Sequence, residues 1–183
     1  MKVNIPIQES YRMLDPGGVV LVTSKYRDRT NVMAASWATP LSSTPPLVGV
    51  AIHQGHFTHD LVKRSEEFAL NIPWAGIGGK VKKTGEVSGW DVEDKFAFAG
   101  LTPADARYIE APLAEECIGH LECALLESFE VGDHTLFVGQ IVAATVEEEA
   151  FDAQGWLLEE EELKPLHYVG GPFYAILEKR LRI

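Results

Sequence analysis

Cysteine is scarce: the chain of 183 residues has two, Cys117 and Cys123. They stand six apart on what reads as one strand, which puts them on one face yet about 20 Å from each other, far beyond disulfide reach. Two isolated core thiols are expected, and a redox pair is not. Positive charge is also short. Lys plus Arg number 16 against 27 Asp plus Glu, a net charge of −11, which argues against nucleic acid and against an anionic membrane surface as partners. No segment approaches the roughly 18–20 apolar residues of a bilayer span. The opening MKVNIPIQESYRML lacks the apolar core of a signal peptide, so a cytoplasmic protein is expected. A glycine-rich dinucleotide fingerprint is missing: GIGGK resembles one loosely, without the strand before it or the helix after it. His53, His56 and His59 recur at intervals of three, but no cysteine lies near them and the spacings of metal hydrolases are absent, so no metal is expected.

What is present suits one domain over residues 1–183: 46% apolar and 23% charged residues, enough material for a proper core, with no internal repeat. Residues 19–24, VVLVTS, are rich in β-branched side chains and predict a strand. After the charged turn KYRDRT, residues 31–39 predict a second strand and 47–53 a third, buried on both faces. Pro45 and Pro46 lack N–H donors, so residues 42–46 fit neither a helix nor a central sheet position. Thr58 is placed as the N-cap of a helix, HDLVKRSEE, followed by the strand FALNIP. Gly76, Gly78 and Gly79 open a short basic segment with Lys80, Lys82 and Lys83, and the irregular, aromatic SGWDVEDKFAFAG at 88–100 predicts a functional loop or a short helix. Residues 117–130 and 135–147 are two long strands joined by VGDH, whose Gly-Asp pair signals a hairpin. The Glu-dominated 147–162 reads as a solvated excursion, and a Gly-Gly-Pro turn divides the aromatic C-terminal segments. At least six strands with few helices predict a mainly β chain, a barrel or a sandwich.

The stretch NVMAASWATPLSSTPPLVGVAI, residues 31–52, carries the strongest functional hint. Small residues around Trp37 let a planar ligand approach the backbone, the Ser and Thr hydroxyls can grip an anion, and the indole offers a flat wall. A core strand with a buried Trp and a polar loop accounts for the same residues.

Five stretches in order, namely residues 31–52, HFTHDLVKRSEEFALNIP, TGEVSGWDVEDKF, HTLFVGQIVAA and PLHYVGGPFYA, resemble the flavin reductase-like proteins that include the flavoredoxins. The resemblance covers residues 10 to 178 or so. It implies a split β-barrel with a few short helices that binds FMN without a covalent link, usually as a homodimer with flavin near the subunit interface. By the same resemblance Asn31, Ser36 and Trp37 match the flavin-contacting strand and loop, and Thr58 a hydroxyl near the phosphate. Lys95 matches a lysine at the flavin, His134 a histidine near it, and Tyr168 falls in the C-terminal aromatic segment.

An acidic protein must offset its own field to hold a phosphate, so hydroxyls, N–H groups and cations should converge on it. Ser36, Ser42, Ser43, Thr58 and Lys95 are the suppliers available. The plain alternatives are a helix cap at Thr58, a surface pair of Lys95 with Asp94 or Glu93, a solvated His134 after the hairpin, and core or interface packing for Trp37 and Trp90. The implied activity is hydride transfer from NADH or NADPH, docked transiently, to flavin, with electrons passed to free flavin, a ferric chelate or a redox protein partner; His134 would orient the nicotinamide or substrate. Rival readings are a flavin electron carrier reduced by another protein, a flavin-binding module without turnover, and a β-barrel interaction domain without flavin.

Overall fold

The computed structural model describes residues 3–182. Its frame is an antiparallel seven-stranded sheet. The strands are β1 (Val20–Tyr26), β2 (Arg29–Ala35), β3 (Ala38–Ser43), β4 (Pro46–His53), β5 (Glu67–Ile72), β6 (Gly119–Val131) and β7 (His134–Val146). Their spatial order is β2-β1-β5-β6-β7-β4-β3, so the two edge strands, β2 and β3, are consecutive in the chain. Only Ser36 and Trp37 separate them, and the edges of the sheet are therefore held side by side. This closes the sheet into a barrel that is split along β2, the split β-barrel expected from the sequence.

The run expected as one strand over 31–39 is in fact two. Ala35 pairs with Val20 of β1, whereas Ala38 pairs with Val50 of β4, and between them the Trp37 carbonyl accepts the Ala51 N–H at 2.9 Å. The backbone changes partners at Ser36–Trp37, and nothing in the side-chain pattern marks the change. Ser42 and Ser43 end the edge strand β3, the position that the following prolines allow.

Helix α1 (Phe57–Ser65) begins two residues before the HDLVKRSEE segment and is capped by His56, not by Thr58, which lies inside its first turn. The helix ends at Glu66, whose φ of 60° is left-handed. The basic segment after the glycines is a helix, α2 (Gly78–Glu86), and a short α3 (Lys95–Ala99) follows. A small sheet of Gly17–Gly18, β8 (Leu166–Gly170) and β9 (Phe173–Ile176) packs nearby. Among the described residues no helix is long and apolar enough to cross a membrane.

Strand alternation sorts the core into two clusters. Val20, Val22, Val50, Phe68, Cys123 and Phe137 fill one, while Val19 and Leu21 turn to the other face and meet Val81, Phe96, Ala114 and Cys117. β1 is thus covered on both sides, which explains its continuous apolar run. The two cysteines sit in different clusters instead of on a shared face, because Cys117 precedes β6. Both are buried free thiols, and burial pushes each up to about 12.

The hairpin from β6 to β7 turns at Gly132, which has a φ of 63° and suits the Gly-Asp turn. Farther along, Gly139 lets β7 approach the fully buried Phe68. A Cβ there would lie 2.6 Å from Phe68 Cζ and 2.9 Å from Cys123 Cβ, both held in packed core. Gly139→Ala is expected to destabilise the fold by about 1–3 kcal/mol, read from the midpoint of urea unfolding. An unchanged midpoint would show that the core yields there.

Candidate functional site

The edge strand β2 leaves backbone groups unpaired on its outer side, and the end of α2 with the segment that joins it to α3 covers them. The Thr84 hydroxyl accepts the Ala34 N–H at 3.1 Å and donates to the Val81 carbonyl at 2.7 Å. Farther along the edge, Arg29 Nη2 donates to the Gly89 carbonyl at 3.1 Å. Between β2, the first turn of α1 and this covering segment lies a cavity of about 330 Å³. Asn31, Thr58 and Lys95 all line it, so three of the residues singled out from the sequence come together in space.

These three are buried, and their polar groups are incompletely paired. Asn31 Nδ2 donates to the Thr58 hydroxyl at 2.7 Å, while Asn31 Oδ1 is buried without a partner. Lys95 is 4% exposed and forms no ion pair among the described residues. The surface pairing with Asp94 does not form, because Asp94 Oδ1 caps α3 by accepting the Ala97 N–H at 2.9 Å, and Lys95 at the first helical position turns inward. Burial pulls the Lys95 ammonium down to about 8 from its ordinary value of 10.5. Glu86 also lines the cavity, but its carboxylate faces Lys82 at 3.5 Å.

His56 lies on the same wall. Burial lowers its pKa first, and the nearby His53, His134 and Lys95 lower it further, so the ring is neutral at pH 7. Rings continue from there: His56 to His53 at 5.3 Å, His53 to His134 at 5.3 Å, His134 to Trp37 at 4.8 Å and Trp37 to Tyr11 at 5.5 Å. His134 Nδ1 also meets Asp133 Oδ1 at 2.6 Å. It lies beside the groove and lines neither the first cavity nor the two that follow it.

The groove extends along β2. Ala34 is shared with a second cavity of about 230 Å³ that also touches Ser36 and Tyr168. Ser36 and Tyr168 are shared in turn with a third of about 510 Å³, which includes Trp37, Tyr11 and Phe173. Trp37 is 42% exposed, so it is a wall of this opening and not a core indole. Ser42 and Ser43 line none of these cavities. They stand at the far end of β3, where the Ser42 hydroxyl accepts the Thr44 N–H at 3.2 Å, and the structure does not bring them to Lys95. The sequence reading gave no role at a ligand site to His56, Phe57 or residues 84–87, which line the first cavity, whereas Ser88 and Gly89 belong to the stretch 88–100 expected as a functional loop or short helix. The glycines in TGEVSG were the available signal.

The donor set suits a flavin with a phosphorylated tail. Lys95 has no anionic partner among the described residues, and the free N–H groups of the first turn of α1 favour negative charge. Residues 13–176 match the family described as flavin reductase like domain, and the chain belongs to that family. A protein of Pyrococcus abyssi described as uncharacterised is 39% identical over 144 residues, 79% of this chain and 82% of that protein. Among solved structures, the flavoredoxin of Methanosarcina acetivorans superposes with a TM-score of 0.86 at 25% identity, covering 100% of this chain and 95% of that one. An FMN-binding protein of Thermus thermophilus, solved with bound 1-cyclohex-2-enone, gives 0.84 at 29% identity, covering 100% and 98%.

A buried, unpaired cation costs stability. The folded chain releases the Lys95 proton near pH 8, the unfolded chain near 10.5. Between these values the unfolded state binds more protons, so stability rises with pH across that window, and below it the full cost remains. Lys95→Met is expected to stabilise the ligand-free protein at pH 7, by on the order of 2–3 kcal/mol at most, with the gain vanishing above pH 10.5. Urea unfolding at pH 7 and at high pH checks this. A variant less stable than the parent at pH 7 would show that Lys95 is already compensated.

Proposed function

We propose that the chain is an FMN-binding oxidoreductase that takes hydride from NADH or NADPH and passes the electrons to free flavin, a ferric chelate or a redox protein. The observation that carries this reading is an uncompensated buried lysine, Lys95, lining one cavity with Thr58 and the first turn of α1. An anionic group on a ligand satisfies that set. Family membership and likeness to an FMN-binding protein support flavin as that ligand.

Bound flavin supplies the chemistry, accepting a hydride and releasing electrons singly or in pairs. The residues of this chain bind and orient. Lys95 places positive charge at the phosphate, and Thr58 with the first turn of α1 adds N–H and hydroxyl groups. Ala34, Ala35 and Ser36 have side chains small enough to admit a flat ring against β2, and Tyr168 and Trp37 bound the opening from which a nicotinamide approaches. His134 lies against Trp37 and orients what enters there, without serving as acid or base, because hydride transfer needs neither.

We further propose a homodimer. Leu126, Phe129 and Val131 on β6 and Val142 and Val146 on β7 are large apolar side chains left exposed, and a second copy would cover them. A second reading, an electron carrier reduced by a protein, is favoured by the likeness to a flavoredoxin.

The protein is expected to be yellow, or to become so with added FMN, and its visible bands should bleach rapidly with NADH or NADPH under anaerobic conditions. Bands that persist with both nucleotides yet vanish with dithionite would establish the carrier. Lys95→Ala is expected to weaken FMN binding at least tenfold, with the loss shrinking at high salt, and Thr58→Ala by about fivefold, about 1 kcal/mol. Unchanged dissociation constants in both would remove the phosphate from this cavity. His134→Ala should slow reduction severalfold at nearly unchanged flavin affinity, and the reverse pattern would contradict its role at the opening.

A further inference from the structure

One end of the groove is shut. Along β2 the lining runs from Ala34 and Met33 back to Asn31, and two residues earlier stands Arg29. There the two walls touch: a Cβ on Gly89 would lie 2.3 Å from Phe57 Cδ1 and 2.6 Å from Asn31 Oδ1. Outside that contact, two side chains tie the walls together. The Arg29 guanidinium donates to the Gly89 carbonyl and lies over the Phe57 ring, 4.8 Å from its centroid. The Trp90 indole also packs on Phe57, with ring centroids 4.6 Å apart, and its Nε1 donates to the Gly55 carbonyl at 3.3 Å. Each tie runs from β2 or the covering segment to the residues around the start of α1. Both residues are exposed, so neither is needed to fill the core, and Trp90 is 58% accessible.

We infer that Arg29 and Trp90 form a clasp over the polar end of the groove and restrict the cofactor to a flavin ending in a phosphate monoester. This rests on the flavin reading above. A phosphate held by Lys95 and Thr58 meets closed wall just beyond. A monoester ends there. A flavin whose phosphate continues through a second phosphate into a nucleoside has to thread between Gly89, Phe57 and Asn31, where the gap is already filled. The orientation follows as well: the ring points along β2 toward Ser36 and Tyr168, where the second cavity continues the first at Ala34. Arg29 and Trp90 are positioning residues in this scheme. They act through the Gly89 wall and not on the reacting ring.

The test compares FMN with FAD, by equilibrium titration and by the rate of FMN release, in the full chain and in Arg29→Ala, Trp90→Ala and the double variant. Thermal unfolding of the ligand-free proteins reports on folding, and Arg29→Lys and Trp90→Phe, which retain a donor or the stacking, are the milder pair. The parent is expected to bind FMN at least tenfold more tightly than FAD. In the double variant that ratio should fall at least fivefold and FMN should leave faster, with an unfolding midpoint close to the parent's; the milder pair should fall between. Equal affinity of the parent for FMN and FAD overturns the clasp while leaving the flavin reading intact. An unchanged ratio in folded variants does the same, and so does a parallel loss of both ligands, which would make Arg29 a phosphate ligand instead. A parent that binds neither flavin overturns the flavin reading, and the clasp with it.

Discussion

The covalent link of two residues between Arg29–Ala35 and Ala38–Ser43 governs the rest of the architecture. A sheet of seven strands ordinarily has two edges far apart, each needing protection from pairing with another chain. Here the edges are successive strands, so Ser36 and Trp37 bring them together and the sheet must curl. Closure cannot be complete, because Ala35 and Ala38 pair with different neighbours. The outer side of Arg29–Ala35 is left open, and a groove follows from that geometry. Its walls are whatever the chain supplies to cover an open edge: the first turn of the helix at Phe57–Ser65, and the segment between the helices at Gly78–Glu86 and Lys95–Ala99.

Charge is distributed against the average. The chain carries a net −11, yet the groove holds a buried lysine and the neutral His56, with Arg29 at its end. A distant negative field contributes little inside such a recess, since surface charges are screened within about 10 Å at moderate salt. What matters is the local set, and there the carboxylate of Glu86 faces Lys82 and leaves Lys95 without an ion pair. Burying the Lys95 ammonium makes the free protein less stable than it could be, and it keeps positive charge oriented toward the cavity. This is the usual relation between a preorganised site and stability, with the strain placed where binding relieves it.

How much of this was legible in the sequence depended on the range of the interactions. Val19–Ser24, Leu47–His53 and the two long hairpin strands announced themselves through β-branched runs and a Gly-Asp turn, which are local signals. The break at Ser36–Trp37 left no mark, because a change of hydrogen-bonding partner needs no particular side chain. Thr58 looked like a cap, whereas His56 holds that position without a side-chain bond and the Thr58 hydroxyl is used by Asn31, 27 residues away. GGKVKKTGE did not read as a helix, since three glycines in nine residues weigh against one, and packing of Val81 into the core overrides that weakness. Lys95 stands beside acids, so a surface pair was the plain alternative to the flavin contact implied by resemblance. Its inward turn depends on Asp94 spending its carboxylate on the helix cap, a detail of geometry and not of composition. Asn31, Thr58 and Lys95 were named through resemblance to a family, and their convergence became visible only when the strand, the helix and the loop were placed together.

The groove is chemically unlike at its two ends, and the difference bears on what the protein can do. At the Asn31 end, polar groups are buried, directional and closed in, which suits a ligand held in one pose. At the Trp37 end, Tyr11, Tyr168 and Phe173 offer flat or edge-on aromatic surface around a wider opening, and aromatic faces accept planar partners with little demand on their identity. A cofactor held at the first end as proposed would present its ring to the second. Enzyme and electron carrier then differ only in what reaches that opening, a small nicotinamide or the surface of a protein. Tyr11 belongs to the N-terminal 3-10 helix, Ile7–Leu14, which carries several apolar side chains and buries none of its residues. Its edge-on contact with Trp37 is therefore supported by little of the core.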